Sequence, residues 1–181
     1  MSENAPYDEL YALAERSQRI AAALPPRENA RTHWNGIGFS LQGQRFVAPM
    51  KEVSELLRVP VTTKLPGVKN FVVGVANVRG RLIVVLDLAM FFGDGSEFAR
   101  AQRRVLAVED GEQYFGFMID ESLGMQHFPS ESFDAEVSGV DPKFAPFVDG
   151  CYGVGGNVWP VFSLRRLAGH ESLEKLAVSA A

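Results

Sequence analysis

Residues 74–88 read GVANVRGRLIVVLDL and residues 150–164 read GCYGVGGNVWPVFSL. Set together without a gap, 76 positions apart, the two stretches share Gly74/Gly150, Val78/Val154, Gly80/Gly156, Val85/Val161 and Leu88/Leu164. Leu82/Val158 and Leu86/Phe162 are apolar pairs. A turn-then-strand unit stated twice implies two similar β subdomains. The copies differ at the turn. The first carries Asn77-Val78-Arg79-Gly80-Arg81 and the second Gly153-Val154-Gly155-Gly156-Asn157, which has no charge. Equal scaffolding with unequal turn chemistry suggests that one copy presents a surface and the other mainly holds shape.

Outward from these stretches the period is two. Phe39, Leu41, Phe46, Ala48 and Met50 alternate around Gln42-Gly43-Gln44, which reads as a hairpin. Lys51–Leu57 reads as one helical turn or a strand crossing, and Asp87–Phe92 as a single turn before Gly93-Asp94-Gly95-Ser96, the clearest interior linker. Arg104–Glu109 and Gln113–Ile119 then flank Asp110-Gly111, a second hairpin signal. At an offset of 68, Phe46/Tyr114 and Met50/Met118 match in type, so the hairpin is repeated too. Each half is hairpin, crossing, turn and strand. Short strands at close spacing favour small barrels over an open sheet. Halves of about 60 residues are marginal alone, so a shared apolar seam is expected, worth roughly 1.5–3 kcal/mol per buried large side chain.

Before the β region, residues 6–24 carry Leu10, Leu13, Ala14, Ser17, Ala21 and Leu24 at helical spacing, with Pro6 and acids in the first turn and Pro25-Pro26 as the stop. Residues 27–35 are polar and read as a linker. Arg165–Leu176 reads as a closing helix interrupted by Gly169. The organisation expected is therefore a helix and linker over 1–35, a β domain over 36–168 with halves near 36–92 and 104–168, and a tail over 169–181.

Composition narrows the function. The chain has 181 residues, 46% of them hydrophobic, and a net charge of −4. That balance, without a basic run, opposes nucleic-acid binding. Cys151 is the only cysteine, so neither a disulfide framework nor a paired-cysteine metal site is available. Acids in the first 30 residues do not suit a secretory signal, and Leu82–Leu86, closed by Asp87, is far short of a membrane span. A cytoplasmic protein is expected. His33, His127 and His170 stand in a linker, a loop and a tail, none at metal-ligand spacing. The glycines at 150–156 lack the Lys-Ser/Thr of a phosphate loop and suit a turn needing positive φ. Glu109, Asp110 and Glu112 decorate a hairpin tip, where solvation explains them. Nothing assembles an acid, a base and an oxyanion donor, so no enzyme, cofactor or metal is expected.

In the Asn77–Gly80 turn, Asn and Gly are turn chemistry, whereas Arg79 is not required by it. Its planar guanidinium either recognises a partner's carboxylate or pairs within the molecule with Glu52 or Glu55. Gly74, Asn77, Arg79, Gly80, Asp87 and Leu88 reproduce a Gly-x-x-Asn-x-Arg-Gly turn followed by a strand ending in Asp-Leu. Upstream stand Phe39-Ser-Leu, Phe46-Val-Ala-Pro-Met, Glu52-Val53-Ser54-Glu55-Leu56 and Leu65-Pro66-Gly67; downstream stands Gly116-Phe-Met-Ile-Asp120. In these motifs the chain resembles the CheW-like family, the adaptors that couple chemoreceptors to a chemotaxis histidine kinase, over about residues 36–168. It departs from the family at Val84, where proline is usual, and at Ser163, where aspartate or asparagine is common. The N-terminal helix, Trp34-Asn35-Gly36-Ile37-Gly38 and Ala48-Pro49-Met50 resemble the branch serving type IV pili and twitching motility.

The resemblance implies a mainly β fold of two interlocked five-stranded SH3-like barrels, with an N-terminal helix and a short C-terminal helix. It implies two contact surfaces: one for the regulatory domain of a CheA-type histidine kinase, itself CheW-like, and one for the cytoplasmic tip of a methyl-accepting chemoreceptor along the groove between barrels. Carried onto this chain, the contact positions are Val53, Glu55, Gly74, Asn77 and Arg79, with Gly74 conformational rather than a direct contact. The protein would be cytoplasmic, recruited to receptor arrays without inserting into the membrane. An adaptor of a flagellar pathway and a small-ligand sensor with a pocket between the barrels are the alternatives.

Overall fold

The computed structural model describes Leu10, Leu13 and residues 33–93, 95–137 and 139–176. Met1–Arg31 and Thr32–Ala181 form separate units. Of the helix expected over residues 6–24, Leu10 and Leu13 are described, helical and exposed; the rest of that expectation lies outside the described residues.

The strands follow the alternation of the sequence. They are β1 (His33–Leu41), β2 (Gln44–Pro49), β3 (Glu55–Arg58), β4 (Val72–Val78), β5 (Arg81–Asp87), β6 (Arg104–Asp110), β7 (Gln113–Ile119), β8 (Glu121–Pro129), β9 (Phe133–Asp134), β10 (Val148–Val154) and β11 (Asn157–Phe162). Short helices α1 (Leu88–Phe91), α2 (Leu164–Ala168) and α3 (Glu171–Glu174) follow β5 and β11. The Lys51–Leu57 crossing is both things expected of it: a 3-10 turn over Met50–Glu52, then β3. Strand β1 starts at His33, inside the segment read as linker. The reason is Trp34, which stacks on Tyr152 with ring centroids 4.8 Å apart. His127 lies in β8 rather than a loop, its Nδ1 2.7 Å from Asn35 Oδ1.

One sheet has the order β3-β6-β7-β5-β4 and the other β8-β1-β2-β11-β10-β9. The two orders are the same if β6-β7 is exchanged for β1-β2, β5-β4 for β11-β10, and β3 for β8. Each sheet thus takes its central hairpin from the other half of the sequence, and the halves interlock. The two-residue β9 is an added edge on the second sheet. Its counterpart is the isolated bridge between Thr63 and Val75, since β9 pairs Asp134 with Cys151, 76 positions beyond Val75. These are the two SH3-like barrels.

The register corrects one alignment. Parallel pairing matches Val85 with Gly116 in one sheet and Val161 with Val47 in the other. With Val85 and Val161 equivalent, Gly116 is the counterpart of Val47, so the hairpins repeat at an offset of 69 rather than 68. Phe46 therefore corresponds to Phe115, not Tyr114. A one-residue slip moves a side chain to the opposite face of a strand. Phe46 and Phe115 both lie in the core shared by the two sheets, whereas Tyr114 belongs to a separate cluster with Ile83, Val85, Val105 and Met118.

That shared core is the expected seam. Phe39, Phe46, Leu86, Phe117, Phe144 and Phe162 are fully or almost fully buried in it, with Phe46 edge-on to Phe144 and Phe162 at centroid distances of 5.0 and 5.4 Å. On the far face of the second sheet, Val47, Phe128, Tyr152 and Val161 form the small cluster matching that around Tyr114. The tail joins the core: Leu173 is buried, and the Lys69 N–H donates to the Leu176 carbonyl at 3.0 Å.

Candidate interaction surface

The β4–β5 hairpin turns through Arg79-Gly80, since Val78 pairs with Arg81. Both turn residues have positive φ, 52° for Arg79 and 83° for Gly80, the backbone of a two-residue turn whose twist matches the flanking strands. Asparagine tolerates left-handed backbone or bonds to nearby main chain. Here Arg79 takes the left-handed position beside Gly80, and Asn77 makes the backbone bond from the preceding strand, its Oδ1 accepting the Gly80 N–H at 2.9 Å. A non-glycine residue in this region costs about 1–2 kcal/mol, so Arg79 is held at some strain. In the second copy the equivalent positions are Gly155 and Gly156, with φ of 59° and 77°, where that cost is absent.

The strained residue ends in a charge pair. Arg79 Nη2 lies 2.5 Å from Glu55 Oε1, with the arginine side chain 79% exposed and the glutamate 21%. Of the two carboxylates open to it, Arg79 takes Glu55. Glu52 turns elsewhere, accepting from the Ser163 hydroxyl at 3.3 Å and the Arg165 N–H at 3.1 Å. Ser163 in turn caps α2 by accepting the Arg166 N–H. Asp87, its counterpart, caps α1 through the Ala89 and Met90 N–H groups. Serine therefore performs the local duty of the commoner aspartate or asparagine.

A second pair adjoins the first. Arg81 Nη1 lies 2.5 Å from Glu109 Oε1, and its guanidinium carbon sits 4.4 Å from the centre of the Tyr114 ring, within cation–π range. Glu109 is thus an ion-pair partner rather than a merely solvated tip residue. Tyr114 packs beneath these charges. Burial first, then the Glu55 carboxylate, raises its phenol above the ordinary tyrosine range, against the lowering effect of Arg81. The surface is a mosaic: Arg79 with Glu55 and Arg81 with Glu109 around Tyr114. The sequence reading missed Arg81, Glu109 and Tyr114. The alternation of Arg81 with Ile83 was the available signal, because it puts Arg81 on the same strand face.

The other expected positions divide. Gly74 has φ of 142°, and a Cβ there would lie 2.3 Å from the Thr63 carbonyl oxygen. Gly150 repeats this, its Cβ position 2.6 Å from the Asp134 carbonyl oxygen. Gly74 lets the edge bridge close. Val53 is half-buried against the shared core. The arrangement brings Glu55, Asn77 and Arg79 together, while Gly74 sits at the edge bridge and Val53 packs on the core. Cys151 is buried, its Sγ 3.4 Å from the Glu136 carbonyl, and His170 caps α3 by accepting the Ser172 N–H. No group of three or more potential metal ligands occurs among the described residues.

Comparison with known proteins agrees with this architecture. The family model described as CheW-like domain matches residues 35–175. Protein PilI of Pseudomonas aeruginosa is 43% identical over 173 residues, covering 96% of this chain and 97% of that protein. Chemotaxis protein CheW of Helicobacter pylori is 28% identical over 113 residues, 62% of this chain and 68% of that one. Protein FrzA of Myxococcus xanthus is 31% identical over 91 residues, 50% of this chain and 57% of that protein. The crystal structure of scaffolding protein TtCheW from Thermoanaerobacter tengcongensis superposes with a TM-score of 0.67 at 24% identity, covering 81% of this chain and 99% of that one. With its two hairpin-exchanged barrels and a family match across nearly all of them, the chain belongs to the CheW-like family, on the PilI-like branch.

Proposed function

We propose that this protein is a non-enzymatic adaptor joining a CheA-type histidine kinase to the cytoplasmic tip of a methyl-accepting chemoreceptor, in a pathway that controls type IV pili. The pathway rests on the likeness to PilI over almost the whole chain. The observation that carries the surface is Arg79. It is kept in a left-handed backbone and exposed, where the second copy of the same turn uses glycine. Backbone strain persists where the surroundings over-determine it, and an observed outlier supports a functional reading. Glu55 orients the guanidinium on a turn that Asn77 fixes through Gly80, so less freedom is lost when a partner's carboxylate engages it.

The adaptor makes and breaks no bond. Holding two partners raises the effective concentration of each near the other, and receptor state biases the kinase to the extent that the bound states differ in contact energy. No described helix is long and apolar enough to cross a membrane; recruitment to receptor arrays in the cytoplasm follows from the receptor contact. Co-purification of the tagged protein with the histidine kinases and receptors of its own cell tests the reading. Recovery of neither, with a folded bait, refutes it.

A further inference from the structure

Strands β3 and β6 set Arg58 directly opposite Arg104. Side chains opposed in this way share a face, and like charges so placed repel. Neighbouring arginines meet acids: Arg79 pairs with Glu55, Arg81 with Glu109, and Arg103 with Asp87 at 2.7 Å, with Asp120 3.6 Å away. Among the described residues, no carboxylate pairs with Arg58 or Arg104. A third guanidinium joins the same strand end. Arg100 Nη2 donates to the Pro60 carbonyl and to the Thr62 hydroxyl oxygen, each at 3.1 Å, on the chain just beyond Arg58. Arg100 also lacks a paired acid among the described residues.

Two of the three cations are held in place. Arg104 is half-buried, and its Nη1 donates to the Ala101, Gln102 and Arg103 carbonyls at 3.3, 3.0 and 2.8 Å. Those neutral acceptors fix the guanidinium, leave its charge uncompensated, and leave Nε and Nη2 without acceptors among the described residues. The segment that Arg100 grips is tied to β4 by backbone bonds between Thr63 and Val75 at 2.8 and 2.9 Å. Arg58 is exposed and has no hydrogen-bond or ion-pair partner among the described residues. Three positive charges with unused N–H donors call for an anion of more than one charge and several oxygens. Guanidinium forks match phosphate geometry, and a phosphate group carries about 1.5–2 negative charges at neutral pH, whereas a carboxylate offsets one. We propose that Arg58 and Arg104, with Arg100 beside them, bind a phosphate group, free or carried on a small organic molecule.

This inference is independent of the adaptor reading, and its test needs no partner protein. The full-length chain, labelled with 15N, is titrated at neutral pH and constant ionic strength with inorganic phosphate, phenyl phosphate, acetate and chloride. Saturable shifts of the Arg58, Arg100 and Arg104 amides are expected with the two phosphates and with neither of the other anions. Tighter binding of phenyl phosphate would assign the site to phosphate on an organic group, and equal or weaker binding to the free anion. Arg104→Gln and Arg58→Gln should each weaken phosphate binding at least tenfold. Arg45→Gln, which removes an exposed arginine from the other sheet, should leave it unchanged. Because it relieves repulsion, Arg58→Gln should melt no lower than the parent in chloride, so it serves if Arg104→Gln does not fold. Phosphate should raise the melting temperature of the parent, by mass action on the folded state, and not that of Arg58→Gln. Equal shifts with chloride or acetate, absence of saturation, undiminished affinity in folded Arg58→Gln, or an equal loss in Arg45→Gln would overturn the proposal.

Discussion

Arg79 and Glu55 join the tip of the β4–β5 hairpin to the edge strand β3 across a 2.5 Å charge contact. Because the arginine is largely exposed, the pair is worth little to folding, about 0–1 kcal/mol by the usual behaviour of such bridges. Its value to binding is a separate quantity. Arg79→Glu should melt within a few degrees of the parent, while capture of kinase or receptor falls by about 2 kcal/mol or more, as at a hot spot. The double exchange Arg79→Glu with Glu55→Arg restores an internal pair but leaves the wrong sign at the tip. Titration calorimetry should show it binding no better than the single variant. Recovered binding would mean that the bridge, and not the guanidinium's outward face, is what partners require.

Gly74→Ala should act through folding. The added methyl would lie 2.3 Å from the Thr63 carbonyl oxygen in a backbone that side chains rarely adopt. Overpacking against main chain together with that conformation predicts a loss of roughly 2–4 kcal/mol, read as a lower urea midpoint. A variant as stable as the parent would show that the edge bridge between Thr63 and Val75 is dispensable.

Arg103→Met removes the only described cation paired with two buried carboxylates, Asp87 and Asp120. Leaving them uncompensated should cost about 3–5 kcal/mol, measured by chemical denaturation at neutral pH. Acid should narrow the deficit, because protonating the abandoned carboxylates removes the buried charge. A deficit that does not shrink on acidification would locate the damage in lost packing.

Burial, and secondarily the Asp134 carboxylate, raise the Cys151 thiol above its ordinary range. Only the thiolate reacts readily, so iodoacetamide at pH 8 should modify Cys151 far more slowly in the folded protein than in urea, as mass spectrometry would show. The folded state holds this proton more tightly than the unfolded chain. Its contribution to stability is therefore complete below the unfolded thiol's pKa and is lost as pH rises through the folded one.

Strand positions were legible because alternation and turn glycines are local signals: the hairpin at Gln42-Gly43 and the repeat around Gly80 and Gly156 stand where those signals put them. What sequence could not resolve was pairing between distant strands. Phe46 resembles both Tyr114 and Phe115, and only the match of Val47 to Val161 and of Gly116 to Val85 decides between them. Side-chain partnership was equally hidden. Arg103 carries no motif, and its burial depends on Asp87 and Asp120 arriving from two strand ends. The hydrogen bond of Asn77 to Gly80 is turn chemistry that the residue type suggests, whereas nothing in the sequence marks Arg79 for the left-handed position it takes.

The exchange of hairpins has a bearing on ancestry and on dissection of the gene. A fragment ending near residue 95 lacks β6 and β7, and the complementary fragment lacks β1 and β2, so each would carry a sheet missing its middle. Neither piece should persist alone, yet the two produced together should assemble by mutual completion. A forerunner with one repeat could have closed its sheets only by trading hairpins with a twin, so the single chain has the logic of a domain-swapped dimer whose subunits were later fused.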